Sequence, residues 1–255
     1  MRAPEERRSQ GRSFDRAADA YEAGRPEYPP ALIEWWDAQG AFPAGGRVLD
    51  LAAGTGKLTR SLVGRSVDVV AVEPLANMRA RLAAVPALAG VEVLDGTAEA
   101  IPLADASVDA VVVGQAFHWF EPAVALPEIA RVIRPGGGLG LAWNDDELDR
   151  APAWVRFVNE RKSSIGGGSV RLGVEPSQAA VDGSGLFEPL TVALFRSVQR
   201  TTPAQVLDSL ASRSYMITLD GDARRAVLEE VAAALPPGDA VEHPLVTAGF
   251  WGRRR

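Results

Sequence analysis

The sequence contains no cysteine. Disulfides, thiolate metal ligands and cysteine nucleophiles are therefore excluded, and nothing in the chain calls for an oxidising compartment. Lysine is scarce: Lys57 and Lys162 are the only two, and arginine carries the remaining positive charge. Together with abundant alanine, that skew reads as coding bias, not as a functional signal. No run of about 18 apolar residues occurs, so no membrane-spanning helix is expected. The first residues, MRAPEERRSQGRSF, are charged and lack the apolar centre of a signal peptide, so the cytoplasm is the expected location. An excess of positive charge is missing too, because the net charge is −6. Nonspecific nucleic-acid binding needs a basic face, so nucleic acid is not an expected partner. Arg253, Arg254 and Arg255 form a local basic cluster, which at a chain end reads as a solvated tail. His, Asp and Glu show no metal-ligand spacing, and no metal is expected.

What is present is a 255-residue chain, 47% apolar and 24% charged. That suits one large α/β domain, or a domain with a modest cap, around an ordinary core. Ser13 is positioned to cap a helix over Phe14–Ala23, and RPEYPP is a proline-stiffened link. A helix over Pro30–Gln39 follows, with Trp35 and Trp36 as packing residues. Short apolar strands then alternate with helices. Strands are predicted over Arg47–Ala52, Val67–Glu73, Val91–Gly96, Val108–Gly114 and Leu139–Asn144. Helices are predicted over Lys57–Val63 and Pro74–Val85 and again before Ile133, where RPGGG turns the chain and Pro127 should kink or split the helix. Beyond Asn144 the pattern predicts a helix around Trp154, a Gly166-Gly167-Gly168 loop, a strand over Leu190–Gln199, helices over Pro203–Arg213 and Asp222–Leu235, and a closing strand over His243–Gly252.

Continuously apolar strands between helices imply a doubly wound, seven-stranded, mostly parallel sheet covered on both faces, with an antiparallel C-terminal strand. The expected organisation is an N-terminal helical cap (1–45), a ligand-binding core (46–145), and lid helices with C-terminal strands completing the same sheet (146–255). Ligands bind such sheets at the carboxyl ends of the strands, and every motif falls at one of those ends.

The strongest motif is VLDLAAGTGKLT (Val48–Thr59). A strand ends near Asp50, a tight turn carries Gly54 and Gly56, and a helix begins. Glycines let a backbone turn sharply and approach a ligand. The third glycine of a dinucleotide fingerprint is absent, with Thr59 in its place, and no Gly-Lys-Ser/Thr marks a P-loop. Glu73 ends the second strand, where an acid can accept both hydroxyls of a ribose. Two further segments fall in order: DGTAEAIPLADASVDAVV (Asp95–Val112) and RVIRPGGGLGLAW (Arg131–Trp143).

Together these segments resemble the class I S-adenosylmethionine-dependent methyltransferases, particularly the type 11 group. FDRAADAYEAGRPEYP and GQAFHWF look like its trans-aconitate-methyltransferase-like branch. The resemblance implies a Rossmann-like methyltransferase fold and S-adenosyl-L-methionine as cofactor. Ala52, Ala53, Gly54 and Gly56 would hold the methionine part, with Asp50 positioning the turn or the ammonium. Glu73 would bind the ribose, Pro74 and Met78 would pack on the adenine, and Thr97, Ala98 and Glu99 would lie near its edge. Gln115 and Ala116 would lie near the sulfonium. Tyr21 and Arg25 would close over the cofactor. Ala52 replaces the family's first loop glycine, and Thr97 stands where many relatives carry an acid.

Methyl transfer from a sulfonium needs alignment and exclusion of water, with a base only where the acceptor must lose a proton. His118 is the candidate base. Tyr28, Phe117, Trp119 and Asn144 are candidate pocket residues, and an aromatic face there could also attract the sulfonium. Asp145 and Asp146 could steer a cationic acceptor; the reading adopted is a helix cap. His243 is read as structural. The expected activity is methyl transfer to a small-molecule oxygen, nitrogen or carbon nucleophile. The alternatives are a noncatalytic cofactor-binding or scaffolding protein, another S-adenosylmethionine-assisted reaction, and a nicotinamide oxidoreductase.

Overall fold

Seven strands form one sheet in the computed structural model, which describes residues 26–165 and 171–255. The strands are β1 (Gly46–Leu51), β2 (Val67–Val72), β3 (Glu92–Leu94), β4 (Val108–Gly114), β5 (Ile133–Asp146), β6 (Thr191–Thr201) and β7 (Val241–Arg253), in the order β3-β2-β1-β4-β5-β7-β6. Pairs β1–β2, β1–β4, β2–β3 and β4–β5 are parallel. Strand β7 runs against β5: Arg254 N donates to Gly137 O near one end, and Glu147 N donates to Pro244 O near the other. The result is the doubly wound, mixed sheet expected. The order reverses beside β1, which places the switch point between β1 and β4. The helix expected over 14–23, the Gly166-Gly167-Gly168 loop, Tyr21 and Arg25 lie outside the described residues.

Nine helices are described: α1 (Pro30–Ala38), α2 (Lys57–Leu62), α3 (Ala76–Ala84), α4 (Pro122–Val132), α5 (Ala153–Ser164), α6 (Arg171–Gly183), α7 (Pro203–Ala211), α8 (Ser214–Ile217) and α9 (Gly221–Ala234). The chain divides into two compact units. The first comprises residues 27–143, 173–195 and 247–255. Strands β1 and β4 are buried on both faces, as continuous apolar runs require. Trp36 of α1 lies over Gly140 of β5, where a Cβ would come within 2.8 Å of the indole. The indole N–H donates to Phe250 O at 3.0 Å, so this buried polar group is satisfied. Leu32, Ile33, Leu58, Leu62, Val48 and Val112 fill the same core.

Two expectations about this unit need correction. Pro127 does not split its helix; α4 runs unbroken through it. Proline removes one donor, while Leu126, Ile129 and Ala130 on the same helix are buried and hold its inner face. RPGGG is also not merely a turn, because β5 already begins at Ile133 and a register irregularity near Ala110 absorbs the change of direction. Gly137 and Gly138 serve close approach: a Cβ would lie 2.2 Å from Asp109 O at the first and 2.4 Å from Trp251 at the second.

The other unit holds 144–172 and 196–246. Its core packs Trp154, Val155 and Val158 of α5 with Val206 and Leu210 of α7, Met216 of α8, and Val227 and Val231 of α9. Thr202 and Gln205 form a capping box on α7, and Asp220 caps α9. Asp145 and Asp146 are not helix caps, since α5 starts beyond Pro152 and has no side-chain cap. Asp146 instead accepts from His243 Nε2 at 2.8 Å, from Asn159 at 3.2 Å and from Lys162. Burial opposes its charge, but Lys162 and His243 hold its carboxyl below the usual range. Asp145, next to that charge and largely buried, is raised, chiefly by its burial. His243 has Trp154 against its ring, a packed position consistent with a structural role. Among the described residues no helix is long and apolar enough to cross a membrane.

Candidate cofactor site

Three strand ends lie level. Leu51 of β1 pairs with Val72 of β2, and Val72 with Leu94 of β3. The segments leaving them are hydrogen-bonded to one another: Ala53 N donates to Val72 O at 3.1 Å, and Glu73 N to Leu94 O at 3.1 Å. The loops after β1, β2 and β3 thus start side by side. The loop after β4 begins at Gln115, whose N donates to Ala142 O at 2.8 Å.

The first loop has an unusual backbone. Ala52, Gly54 and Gly56 all have positive φ, at 58°, 59° and 86°. Two of these positions therefore go to residues without a Cβ, and Ala52 carries the strain of the third. Gly54 and Gly56 differ in their surroundings. A Cβ on Gly56 would lie 2.7 Å from Leu88 Cδ1, whereas one on Gly54 would meet nothing within 4 Å. Gly56 is needed by the fold, and Gly54 borders open space.

Glu73 is buried and organises the loop. Its Oε2 accepts from Gly54 N at 2.9 Å and its Oε1 from Leu75 N at 2.8 Å. The carboxylate thereby fixes both the glycine turn and the entry to α3. Asp50 lies deeper. Its Oδ2 accepts from Thr59 Oγ1 at 2.6 Å, which ties the end of β1 to the first turn of α2. Burial pushes the Asp50 carboxyl up to about 7, with Thr59 opposing and the charge of Glu73 adding to the rise. Thr55, between the two glycines, is buried, and its hydroxyl has no hydrogen-bond partner among the described residues.

The raised acid has a measurable consequence. A carboxyl near 7 when folded and near 3.8 when unfolded keeps its proton longer in the native state. The native state then binds more protons between those values, so stability falls as pH rises from about 4 to about 7. The penalty is on the order of 4 kcal/mol at full ionisation. Asp50→Asn keeps an oxygen for Thr59 and cannot ionise. Its melting temperature is expected to exceed that of the wild type at pH 8 and to lose the advantage near pH 4. Parallel melting curves across that range would refute the assignment.

The remaining sequence-derived residues fall as follows. Met78 and Ala98 are buried, while Pro74 and Thr97 are exposed. Glu99 Oε1 accepts from Glu121 N at 2.9 Å, so it ties the segment after β3 to the start of α4. Gln115 has φ 57° and Ala116 is buried. Next comes a short 3-10 turn, Phe117–Trp119, on which His118 is exposed and its ring lies tilted against Trp119, with centroids 4.8 Å apart. Phe117 is buried against Phe120. Tyr28 is buried with its hydroxyl against Gly114, where a Cβ would approach it to 2.4 Å. Asn144, in the other unit, is buried and donates to Pro26 O at 3.5 Å. The structure thus brings together Asp50, the 52–56 turn and Glu73, with the segments bearing Pro74 and Thr97–Glu99 alongside.

Comparison with known proteins agrees with this geometry. Residues 49–141 match the family model described as a methyltransferase domain. An uncharacterized methyltransferase of Mycobacterium tuberculosis is 47% identical over 233 residues, covering 90% of this chain and 88% of that protein. Another from Schizosaccharomyces pombe is 31% identical over 247 residues, covering 94% and 96%. The chain belongs to the class I S-adenosylmethionine-dependent methyltransferases. A solved structure assigned to a type II methyltransferase from Anaeromyxobacter dehalogenans has a TM-score of 0.63 and 25% identity, covering 90% of this methyltransferase and 97% of that chain.

Fold and domain imply S-adenosylmethionine as the methyl donor, and the residues present fit it. The Thr55 hydroxyl, buried and without a hydrogen-bond partner among the described residues, and the open side of Gly54 lie in the turn that the Glu73 carboxylate holds. Sequence reasoning does not single out two members of this site, Thr59, which binds Asp50, and the buried Thr55 within the turn.

Proposed function

We propose that this methyltransferase passes a methyl group from S-adenosylmethionine to a small-molecule acceptor by in-line displacement. The observation that carries the reading is the buried Glu73 carboxylate, held by Gly54 N and Leu75 N at the end of β2 beside the glycine turn. Its two oxygens suit the two vicinal hydroxyls of a ribose. When bound, S-adenosylmethionine supplies an electrophilic methyl on a sulfonium. The chain's own residues orient and enclose it. The 52–56 turn holds the methionine part, and Asp50 fixes that turn through Thr59. Met78, Pro74, Thr97, Ala98 and Glu99 frame the adenine, and Gln115 and Ala116 lie toward the sulfur. Tyr28, Phe117 and Trp119 contribute to the acceptor pocket. His118, presented by the turn after β4, accepts a proton where the acceptor must lose one. The N-terminal segment FDRAADAYEAGRPEYP and the GQAFHWF loop support the trans-aconitate-methyltransferase-like branch, working in the cytoplasm.

Calorimetric titration with S-adenosylmethionine, S-adenosylhomocysteine and NAD tests the reading. Micromolar binding of the first two and none of NAD is the expected result; binding of NAD alone would overturn it. His118→Ala should give the same affinities and a lower turnover, because His118 acts on the acceptor.

A further inference from the structure

Strand β3 is an edge strand of three residues, and its ladder with β2 extends only from Glu92 to Leu94. So short an edge has little burial to fix it. The segment that leaves it is nonetheless held tightly. Gly96 has no room for a side chain, since a Cβ there would lie 2.5 Å from Pro102 and 3.2 Å from Val72. Asp95, immediately before it, receives both arms of one guanidinium. Arg79 Nη1 donates to Asp95 Oδ1 at 2.9 Å and Nη2 to Oδ2 at 3.0 Å. The same Nη1 also donates to the backbone carbonyl of Glu73 at 2.8 Å. One side chain from α3 therefore fastens the carboxyl ends of β2 and β3 together at the acid assigned to the ribose.

We propose that Arg79 is a positioning residue for nucleoside binding. It sets the place of the Glu73 carboxylate and the distance from it to the 97–99 segment. The proposal rests on the reading of Glu73 as the ribose acid. The planar fork is essential, since only a guanidinium can span both Asp95 oxygens and still reach a carbonyl. The ion pair itself adds little to stability, because Asp95 is largely exposed. The effect should therefore be seen in binding and not in melting.

A mutant cycle on S-adenosylhomocysteine affinity tests this, with titrations of the wild type, Arg79→Ala, Glu73→Gln and the double variant. Arg79→Ala is expected to weaken binding about tenfold in the wild-type background and less than about twofold in the Glu73→Gln background, because it then has no ribose acid to place. Arg79→Lys should recover only part of the loss. The melting temperature of Arg79→Ala should stay within about 3 °C of the wild type. Unchanged affinity in Arg79→Ala, or equal losses in both backgrounds, would overturn the proposal, the second result indicating a general structural role. Failure of the wild type to bind S-adenosylhomocysteine would instead sink the underlying reading of Glu73, and the proposal with it.

Discussion

Glu73→Ala is expected to weaken S-adenosylmethionine binding at least about a hundredfold while leaving the fold intact. Two losses combine. A charge-assisted hydrogen bond contributes about 1.5–3 kcal/mol, and the ribose would lose two acceptors. Each factor of ten corresponds to about 1.4 kcal/mol, so the direct loss alone spans about two to four decades. The second loss is one of preorganisation. Gly54 N and Leu75 N now donate to the carboxylate, and without it the glycine turn and the start of α3 are no longer fixed to the end of β2. Gln at this position is a milder change, but its amide must direct N–H groups at one of those two donors. Removing the Glu73 charge also relieves Asp50, whose carboxyl it helps to raise, so some stability should return above pH 7. Calorimetry with S-adenosylhomocysteine decides the matter. An affinity within about threefold of the wild type would remove Glu73 from the cofactor site.

The legible parts of this protein share a physical reason. Parallel strands buried on both faces must be apolar throughout, so β1, β2 and β4 stand out as runs that no surface helix would tolerate. Glu73 stands out because an acid at the end of such a run is expensive to bury without a partner. Its place at the end of β2, where ligands meet such a sheet, is what made the role readable. What stayed hidden depends on distant partners. Helix α6 was missed because Gly173 and Pro176 interrupt its pattern, although Ser177 and Val181 are buried one turn apart. Glu99 was placed at the adenine edge on resemblance alone; its bond to Glu121 N depends on how the segment after β3 meets α4, which no local pattern shows. Asp145 and Asp146 looked like a cap because acids before a helix often are. The half-buried Lys162 and His243 that claim Asp146 come from α5 and from β7, a helix and a strand later in the chain.

Gly54→Ala and Gly56→Ala should behave in opposite ways, although two residues apart on one loop. Both glycines have positive φ, so each alanine costs about 1 kcal/mol of backbone strain. At Gly56 the new methyl would lie 2.7 Å from Leu88 and 3.0 Å from Leu82, both buried in one apolar cluster with Ala71. Overpacking of that kind costs a further 1–3 kcal/mol or so. A chain of this length loses about 2–4 °C per kcal/mol, so Gly56→Ala should melt about 5–15 °C lower. At Gly54 the methyl meets no protein atom within 4 Å, so the melting temperature should fall by only a few degrees. The open space it enters is the space assigned to the cofactor, where close backbone approach matters. Gly54→Ala is therefore expected to weaken S-adenosylhomocysteine binding about tenfold or more, a loss of at least about 1.4 kcal/mol. If Gly54→Ala binds normally while Gly56→Ala melts low, the loop is a packing device and the cofactor lies elsewhere. If both bind weakly and only Gly56→Ala melts low, one glycine serves the fold and the other serves the ligand.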